Sequence, residues 1–477
     1  METTTADLTF EALMNRFNAL ERAFAQSEAE KTFYKNENAR LQAEVKRLTE
    51  ELAAARKNSR NSSKPPSSDI IKPQPKGKQS ERKIGGQRGH PPNFRTLFTP
   101  EQLDEAFTYD PLTMTCPCGG HLERCAPEDQ VQQQIDLPES PLIRREHRAR
   151  AFRCRSCNAL HRGTLPEHVK REGFIGINLA TALAFLNGKA RASYFTLSAF
   201  VEDVLGEPIS TGQLAKTFLK VSDALEKPYY ELLRRLPTEP ILNIDETGHY
   251  ENGKKFWTWA FCAKDFTVFH IDESRSSKVL ESILGPDFQG TIGCDYFGAY
   301  QKYLKGVDAT AQFCLAHLIR ELRFLAENSA RETKRWAIRS LAAVRRMFRV
   351  HRSLAENPGS DRQKLVRAGE RFRAEVLKAP AESKAQNIAR RFLENGDSYL
   401  RFIGNPEIEP TNNRAEQNIR PAVLDRNVSQ GTRSQDGRDY KERIWTVLST
   451  CARRGVSAYR YIRDALKAYV HQAAAPP

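Results

Sequence analysis

The chain holds no run of about 18 apolar residues, so a helix that spans a bilayer is not expected. Residues 1–30 lack an unbroken apolar core, so no secretory signal is expected there. Nine cysteines among 477 residues are too few for a disulfide scaffold, and the number is odd; a reducing cytoplasm is the expected setting. Acidic residues are in deficit, with 59 Asp and Glu against 74 Lys and Arg and a formal net charge of +15. That balance suits a polyanionic partner, most simply nucleic acid, although general solubility is the plainer account. Hydrophobic residues make up 39% of the chain, enough for several domains and at least one sizeable core.

Residues 7–56 also lack glycine and proline. Here Leu13, Phe17, Leu20, Phe24, Ser27, Lys31, Tyr34, Asn38, Leu41, Val45, Leu48 and Leu52 alternate steps of four and three. A seam held this long predicts a coiled coil over 1–56 and a homo-oligomer, with Lys31 and Asn38 setting register. An amphipathic helix folded back on its own chain is the alternative.

Residues 57–95 change character. Asn-Ser-Ser-Lys-Pro-Pro-Ser-Ser-Asp and the Gly, Pro and Lys that follow cannot bury apolar area, which predicts a flexible linker. Between Arg56 and Arg95 stand eleven Lys or Arg and two acids, Asp69 and Glu81. Lys64, Lys72, Lys76, Lys78, Arg82, Lys83 and Arg88 are therefore candidate contacts to DNA phosphates; a solvated spacer is the bland reading.

Within 96–170, Cys116 and Cys118 form one close pair, and Cys154 and Cys157 a second. Two such pairs around a strand-rich stretch predict a zinc-ribbon-like domain with a structural Zn²⁺. The first pair is one residue short of the usual knuckle, so His121, Cys125 or His161 remains open as a replacement ligand. Four thiolates would leave no open position, which excludes a catalytic metal there. Buried free cysteines are the other reading.

Residues 171–236 read as helical: Asn178–Phe185, Tyr194–Leu205, then a helix capped by Ser210 and Thr211 through Val221. Helix, glycine turn and capped helix suit a helix-turn-helix, and plain helical packing equally well.

From Pro240 the pattern mixes. Ile241, Leu242 and Ile244 make an apolar run ending in Asp245 and Glu246. Strand-like stretches follow at Phe256–Phe261 and Thr267–Ile271. Thr291–Cys294 then ends in Asp295, and Thr310–Cys314 leads into a helix. Three strands, helix, strand, helix, strand is the order of a ribonuclease H-like α/β fold, expected over 237–326 and 405–455 around a helical insertion at 327–404. A C-terminal helix and tail complete 456–477. That fold sets the first and fourth strands side by side, so Asp245 and Asp295 are expected neighbours. Glu416, in Asn-Asn-Arg-Ala-Glu-Gln-Asn-Ile-Arg, is the third candidate acid. Carboxylates held close repel one another and call for a cation. Two Mg²⁺ ions, or Mn²⁺, suit oxygen ligands that leave room for phosphate and water. Each acid also has a plainer role: Asp295 as a helix cap, Glu416 as the acid of a capping box with Asn413, Glu246 as a surface acid or a substitute ligand. Cys314 and His317, a Cys-x-x-His, read as support for the site or as core. Asn412, Asn413, Arg420, Arg426 and Arg433 suit phosphate contacts.

With these residues in place, the chain resembles bacterial insertion-sequence transposases of the family numbered sixty-six (TnpC type) over nearly its full length. The resemblance rests on Asn-Ser-Ser-Lys-Pro-Pro-Ser-Ser-Asp at 61–69, Gly-Gly-Gln-Arg-Gly-His at 85–90, and the two cysteine pairs. It rests also on Asp-Glu-Thr at 245–247, Cys-Asp-Tyr-Phe-Gly-Ala-Tyr at 294–300, Cys-Leu-Ala-His at 314–317, and Asn-Asn-Arg-Ala-Glu-Gln-Asn-Ile-Arg-Pro at 412–421. It implies a DDE transposase, with Asp245, Asp295 and Glu416 catalytic and Cys314, His317, Asn413 and Arg420 in support. It implies cleavage and strand transfer at element ends, accessory proteins of the same element, and a place at the bacterial nucleoid. A structure-specific nuclease of the same fold and a non-catalytic DNA-binding regulator are the rival expectations.

Overall fold

The computed structural model describes residues 10–55, 97–109, 112, 116–120, 131–135, 137–138, 141–357, 361–474 and 476. The 57–95 segment and its cations Lys64, Lys72, Lys76, Lys78, Arg82, Lys83 and Arg88 lie outside the described residues, as do His121 and Cys125.

The first element, α1, runs over Phe10–Ala55. Its apolar seam is uncovered: Leu20 and Phe24 are 72% and 70% exposed. Among the described residues no helix is long and apolar enough to cross a membrane.

The described residues fall into two units. One comprises those of Gln74–Phe174 and Ala192–Lys216. It holds a two-stranded antiparallel hairpin, β1 (Ala151–Arg153) and β2 (Leu160–Arg162), then α2 (Glu167–Glu172) and α4 (Tyr194–Asp203). Ser193 caps α4 by accepting from the Thr196 N–H. The hairpin loop, residues 154–159, holds Cys154 and Cys157.

The other unit comprises the described residues of Met1–Pro73, Ile175–Arg191 and Thr217–Pro477. It contains α3 (Ile177–Lys189) and most of α5 (Thr211–Arg235). The sequence predicts that α5 stops near Val221; it continues through Pro228. Phe218, Val221, Leu225 and Tyr229 are all buried at helical spacing, and that continuous face outweighs the missing N–H of one proline.

The sheet follows: β3 (Ile241–Glu251), β4 (Lys254–Cys262), β5 (Thr267–Asp272), then α6 (Ser277–Leu284), β6 (Thr291–Cys294), α7 (Gly298–Leu304) and β7 (Thr310–Phe313). Its strand order is β5-β4-β3-β6-β7. The first three strands are antiparallel neighbours, while β3 with β6 and β6 with β7 are parallel. The expected adjacency of the first and fourth strands is therefore present. The chain continues as α8 (Leu315–Asn328), α9 (Arg331–Glu356), α10 (Gln363–Val376), α11 (Ser383–Gly404), α12 (Asn413–Ser429), α13 (Gln435–Arg454) and α14 (Ala458–Val470). Trp336 of α9, Phe372 of α10, and Phe392 and Tyr399 of α11 are buried in the same hydrophobic core as Leu242, Ile244 and Ile292 of the sheet.

β5 is an edge strand, and α13 covers its free backbone. The N–H groups of Thr267, Phe269 and Ile271 donate to Thr450 Oγ1 (3.2 Å), Thr446 Oγ1 (3.0 Å) and Glu442 Oε1 (2.5 Å). Four helical residues rise about 6 Å and two strand residues about 6.6 Å, so the two rows stay in step. The edge is thereby closed to pairing with another strand.

Candidate active site

β3 is apolar where it is central: Leu242 and Ile244 are fully buried. It pairs with β4 over Asn243–Glu251, but with β6 only over Ile241–Asn243, opposite Thr291–Gly293. Extended by two residues, that offset would bring Asp245 level with Asp295, just past the end of β6. At Gly293 a Cβ would meet Asn243 Nδ2 at 2.4 Å, so only glycine leaves room for that amide.

The charges of these acids act on one another. Burial raises Asp245 well above the usual carboxylate range, and Glu246, Asp295 and Glu416 add to the rise. Burial also raises Asp295, with Glu416 adding, while the Phe297 N–H and Arg275 oppose it. That Phe297 N–H donates to Asp295 Oδ1 at 3.0 Å. The following helix begins at Gly298 and takes no side-chain cap, so the capping role for Asp295 is absent.

Glu246 is neither a surface acid nor a free ligand. It accepts from Arg275 Nε (3.0 Å) and Nη2 (2.8 Å), and from the Tyr300 hydroxyl (2.5 Å). Burial and Asp295 nevertheless hold it at about 7. The Arg275 guanidinium lies 4.5 Å from the Trp257 ring centroid and 4.1 Å from that of Phe297. This clamp ties β3 to the segment after β5.

Glu416 lies in the first turn of α12, whose N-cap is Asn412. The expected capping box with Asn413 does not form. Asn412 is buried and turned to the sheet instead: Nδ2 donates to the Ile244 carbonyl (2.7 Å), Oδ1 accepts from Asn243 Nδ2 (3.1 Å), and its N–H donates to Cys314 Sγ (3.1 Å). One amide thus joins β3, the end of β7 and the start of α12. The phosphate role expected of Asn412 is excluded by this burial. Arg426 likewise donates to the Gly248 carbonyl, while Arg433 is exposed. Asn413 and Arg420 are exposed on α12.

Glu416 Oε1 stands 3.6 Å from His317 Nδ1 and 3.6 Å from Arg320 Nη2. Glu416 Oε1 and His317 Nδ1 are buried without a hydrogen-bond partner among the described residues. Ligand atoms of Cys314, His317 and Glu416 all lie within 4.8 Å of one another, and Asp245 and Asp295 are outside that group. Burial and Arg320 push His317 down to about 4, which leaves a neutral imidazole. Burial pushes the Cys314 thiol up to about 11.

The close candidate ligand atoms here are a sulfur, a nitrogen and a carboxylate oxygen, from Cys314, His317 and Glu416, while the neighbouring carboxylates of Glu246, Asp295 and Glu416 add to the rise of Asp245, a repulsion that a cation would offset.

The cysteine pairs lie apart from this site in the chain. In the first, Cys116 N–H donates to the Gly120 carbonyl (2.8 Å) and Gly119 N–H to the Cys116 carbonyl (2.8 Å). Backbone N–H groups lower Cys118 and Cys154 from the usual thiol range, chiefly through Gly120 and Cys157, as suits thiolate ligands. The structure folds each pair into a turn; it does not gather the four thiols into one group of close ligand atoms among the described residues.

Sequence reasoning missed Asn243, Gly293 and Arg275, and misassigned Asn412. The available signal was Asn243, a polar residue inside the apolar run Ile-Leu-Asn-Ile, which must find a partner once buried.

Three family models match. That for the Transposase IS66 family covers residues 184–440, more than half of the chain. That for the zinc-finger binding domain of transposase IS66 covers 113–158, and a family of unknown function covers 15–96. Among curated proteins, the uncharacterized protein y4hP of Sinorhizobium fredii is 24% identical over 392 residues, 75% of this chain and 70% of that protein. The uncharacterized protein y4jO of the same organism is 27% identical over 133 residues, 27% of this chain and 41% of that protein.

Proposed function

Since the chain belongs to the IS66 transposase family, we propose that it is a DNA transposase with a ribonuclease H-like core and the catalytic acids Asp245, Asp295 and Glu416. The observation that supports this reading is the parallel register of β3 and β6, which would bring Asp245 level with Asp295 if continued by two residues, together with the part that Asp295 and Glu416 have in raising Asp245.

Asp245, Asp295 and Glu416 would hold two Mg²⁺ ions, or Mn²⁺, which lower the pKa of water and stabilise charge on phosphate oxygens. The chain's own residues keep the acids in place. Asn412 fixes the start of α12 against β3, and Arg275 with Tyr300 holds Glu246 away from the reacting phosphate. His317, neutral, faces Glu416 and is available to orient it. In the first reaction, water oxygen bonds to phosphorus, and the bond from phosphorus to the 3′ oxygen breaks. In the second, the freed 3′-hydroxyl bonds to a target phosphorus and displaces the target's own 3′ oxygen. Neither reaction needs a covalent enzyme intermediate.

The cysteine pairs at 116, 118, 154 and 157 are proposed to bind one structural Zn²⁺, a reading supported by the zinc-finger family match. The exposed seam of α1 is proposed to pair with a second copy, bringing two DNA ends together. Deleting residues 1–56 then lowers the oligomer mass seen by light scattering by more than the residues removed, and an unchanged number of chains per particle removes the pairing. The cations of 57–95 and helices α4 and α5 are proposed to contact DNA, with accessory proteins of the same element completing the assembly at the nucleoid.

The test is Asp295→Asn with end-sequence DNA and Mg²⁺ or Mn²⁺. Loss of cleavage and joining by at least about 100-fold, with DNA binding kept, is expected. Wild-type rates in the variant would overturn the assignment. A wild type that binds ends and never cuts would make the protein a regulator.

A further inference from the structure

A cleft of about 720 Å³ lies along α12 and is lined by residues of α3, α12 and α13. Asn413, Arg414, Gln417, Asn418 and Pro421 face it, all on one side of α12, and Glu416 is not among its walls. It is a basic cleft. Lys189, Arg191, Arg414 and Arg453 line it against one acid, Glu409, which Arg414 already binds at 2.5 Å. Lys189, Arg191 and Arg453 have no ion pair among the described residues.

Three N–H donors in these walls are buried and unpartnered among the described residues: Arg191 Nε, Arg453 Nε and Trp445 Nε1. Trp445 is 3% exposed, so water does not readily meet its donor. A buried donor without an acceptor destabilises the fold, and an unmatched buried cation does so more. Burial accordingly lowers Arg453 from the usual guanidinium range. Arg191 sits just past the end of α3 with φ of 61°, a left-handed conformation that side chains seldom adopt. Close packing sets it there: a Cβ at Gly188 would meet Leu448 at 2.7 Å and Ile444 at 2.8 Å, so α3 lies directly against α13. Three donors and three unmatched cations lack one thing, an anion with several acceptor oxygens. Asn413 and Gln417, also in its walls, add polar side chains along α12.

We propose that this cleft seats a nucleotide, its phosphate on Arg191 and Arg453 and its base along α12, on a side of that helix away from Glu416. The proposal rests on the reading that the protein handles DNA, and adds a second contact to the strand apart from the acids. A phosphate brings acceptors to both guanidinium groups, and Arg holds phosphate in two-point geometry.

The experiment uses the full chain and a fluorescent single-stranded oligonucleotide, with binding read by anisotropy across a salt series. Arg191→Gln with Arg453→Gln is expected to weaken binding at least about 10-fold and to flatten the salt slope by about one to two. Deoxynucleoside monophosphate is expected to raise the melting temperature of the wild type and not that of the double variant. Affinity and slope equal to wild type would overturn the proposal, as would inorganic phosphate stabilising as well as the nucleotide does. Nucleotide-dependent stabilisation with no change in oligonucleotide binding would assign the site to free nucleotide instead of a DNA strand. Should the double variant fail to fold, Lys189→Gln, at an exposed position, reads the same slope and is expected to lose about one contact. If the wild type never cuts DNA but binds through these arginines, the catalytic reading falls and this one stands. If it cuts and the variant binds as tightly as wild type, this one falls alone.

Discussion

The side-chain amide of Asn412 donates to the backbone carbonyl of Ile244 at 2.7 Å, one residue before Asp245. With the bonds to Asn243 and Cys314, this makes Asn412 the joint between the helix that bears Glu416 and the strand that bears Asp245. Asn412→Ala would leave the Asn243 amide and the Ile244 carbonyl buried without that partner. A loss of about 3 kcal/mol in urea unfolding is expected, with DNA cleavage reduced even where the protein stays folded. Unchanged stability would show that the joint is dispensable.

The strap of α13 over β5 makes a separate expectation. Thr446→Val keeps the shape but removes the acceptor of the Phe269 N–H. A loss of about 1–3 kcal/mol is expected, together with faster hydrogen exchange at the Phe269 amide. Exchange as slow as in wild type would mean that the N–H finds another acceptor.

His270 links β5 to the same helix and should give stability a pH dependence. Burial opposes its charge, but Asp272 and Glu442 outweigh burial and raise it from 6.5 to about 9. Its Nδ1 lies 3.3 Å from Glu442 Oε1 and its Nε2 3.8 Å from Asp272 Oδ2. A raised pKa means that the charged form stabilises the fold. The contribution is fully present below 6.5 and is lost as pH rises through about 9. Urea midpoints measured over that window should fall for wild type and stay flatter for His270→Asn. Parallel curves would remove His270 from the account.

Zinc is checked by elemental analysis. About one Zn²⁺ per chain is expected in wild type and none in Cys154→Ser with Cys157→Ser. Zinc-free wild type that is well folded would leave the cysteine pairs without a metal role.

Much of the sheet was legible because strands write a local record. Ile241–Ile244 and Thr291–Cys294 are short apolar runs that end in acids, and each became a strand at the expected place. Between β3 and β4, Asn252 (φ 48°) and Gly253 (φ 80°) take the left-handed conformation of a tight turn. The expected end of α5 at Val221 was short of its actual end at Arg235, because the buried face from Phe218 to Tyr229 carries the helix on through Pro228.

The sequence by itself determined the elements, the order of the acids along the chain, the close cysteine pairs and the apolar seam of α1, since each depends on neighbours a few residues apart. Only the tertiary structure decided that β3 lies beside β6 in the register that sets Asn243 against Gly293, and that Glu416 turns to Cys314 and His317 instead of capping its own helix. It also decided that Asn412 is a buried joint, and that Arg191 and Arg453 share a cleft. These depend on strand register and helix packing between segments far apart in the chain, where burial and the need to satisfy buried polar groups choose the partner.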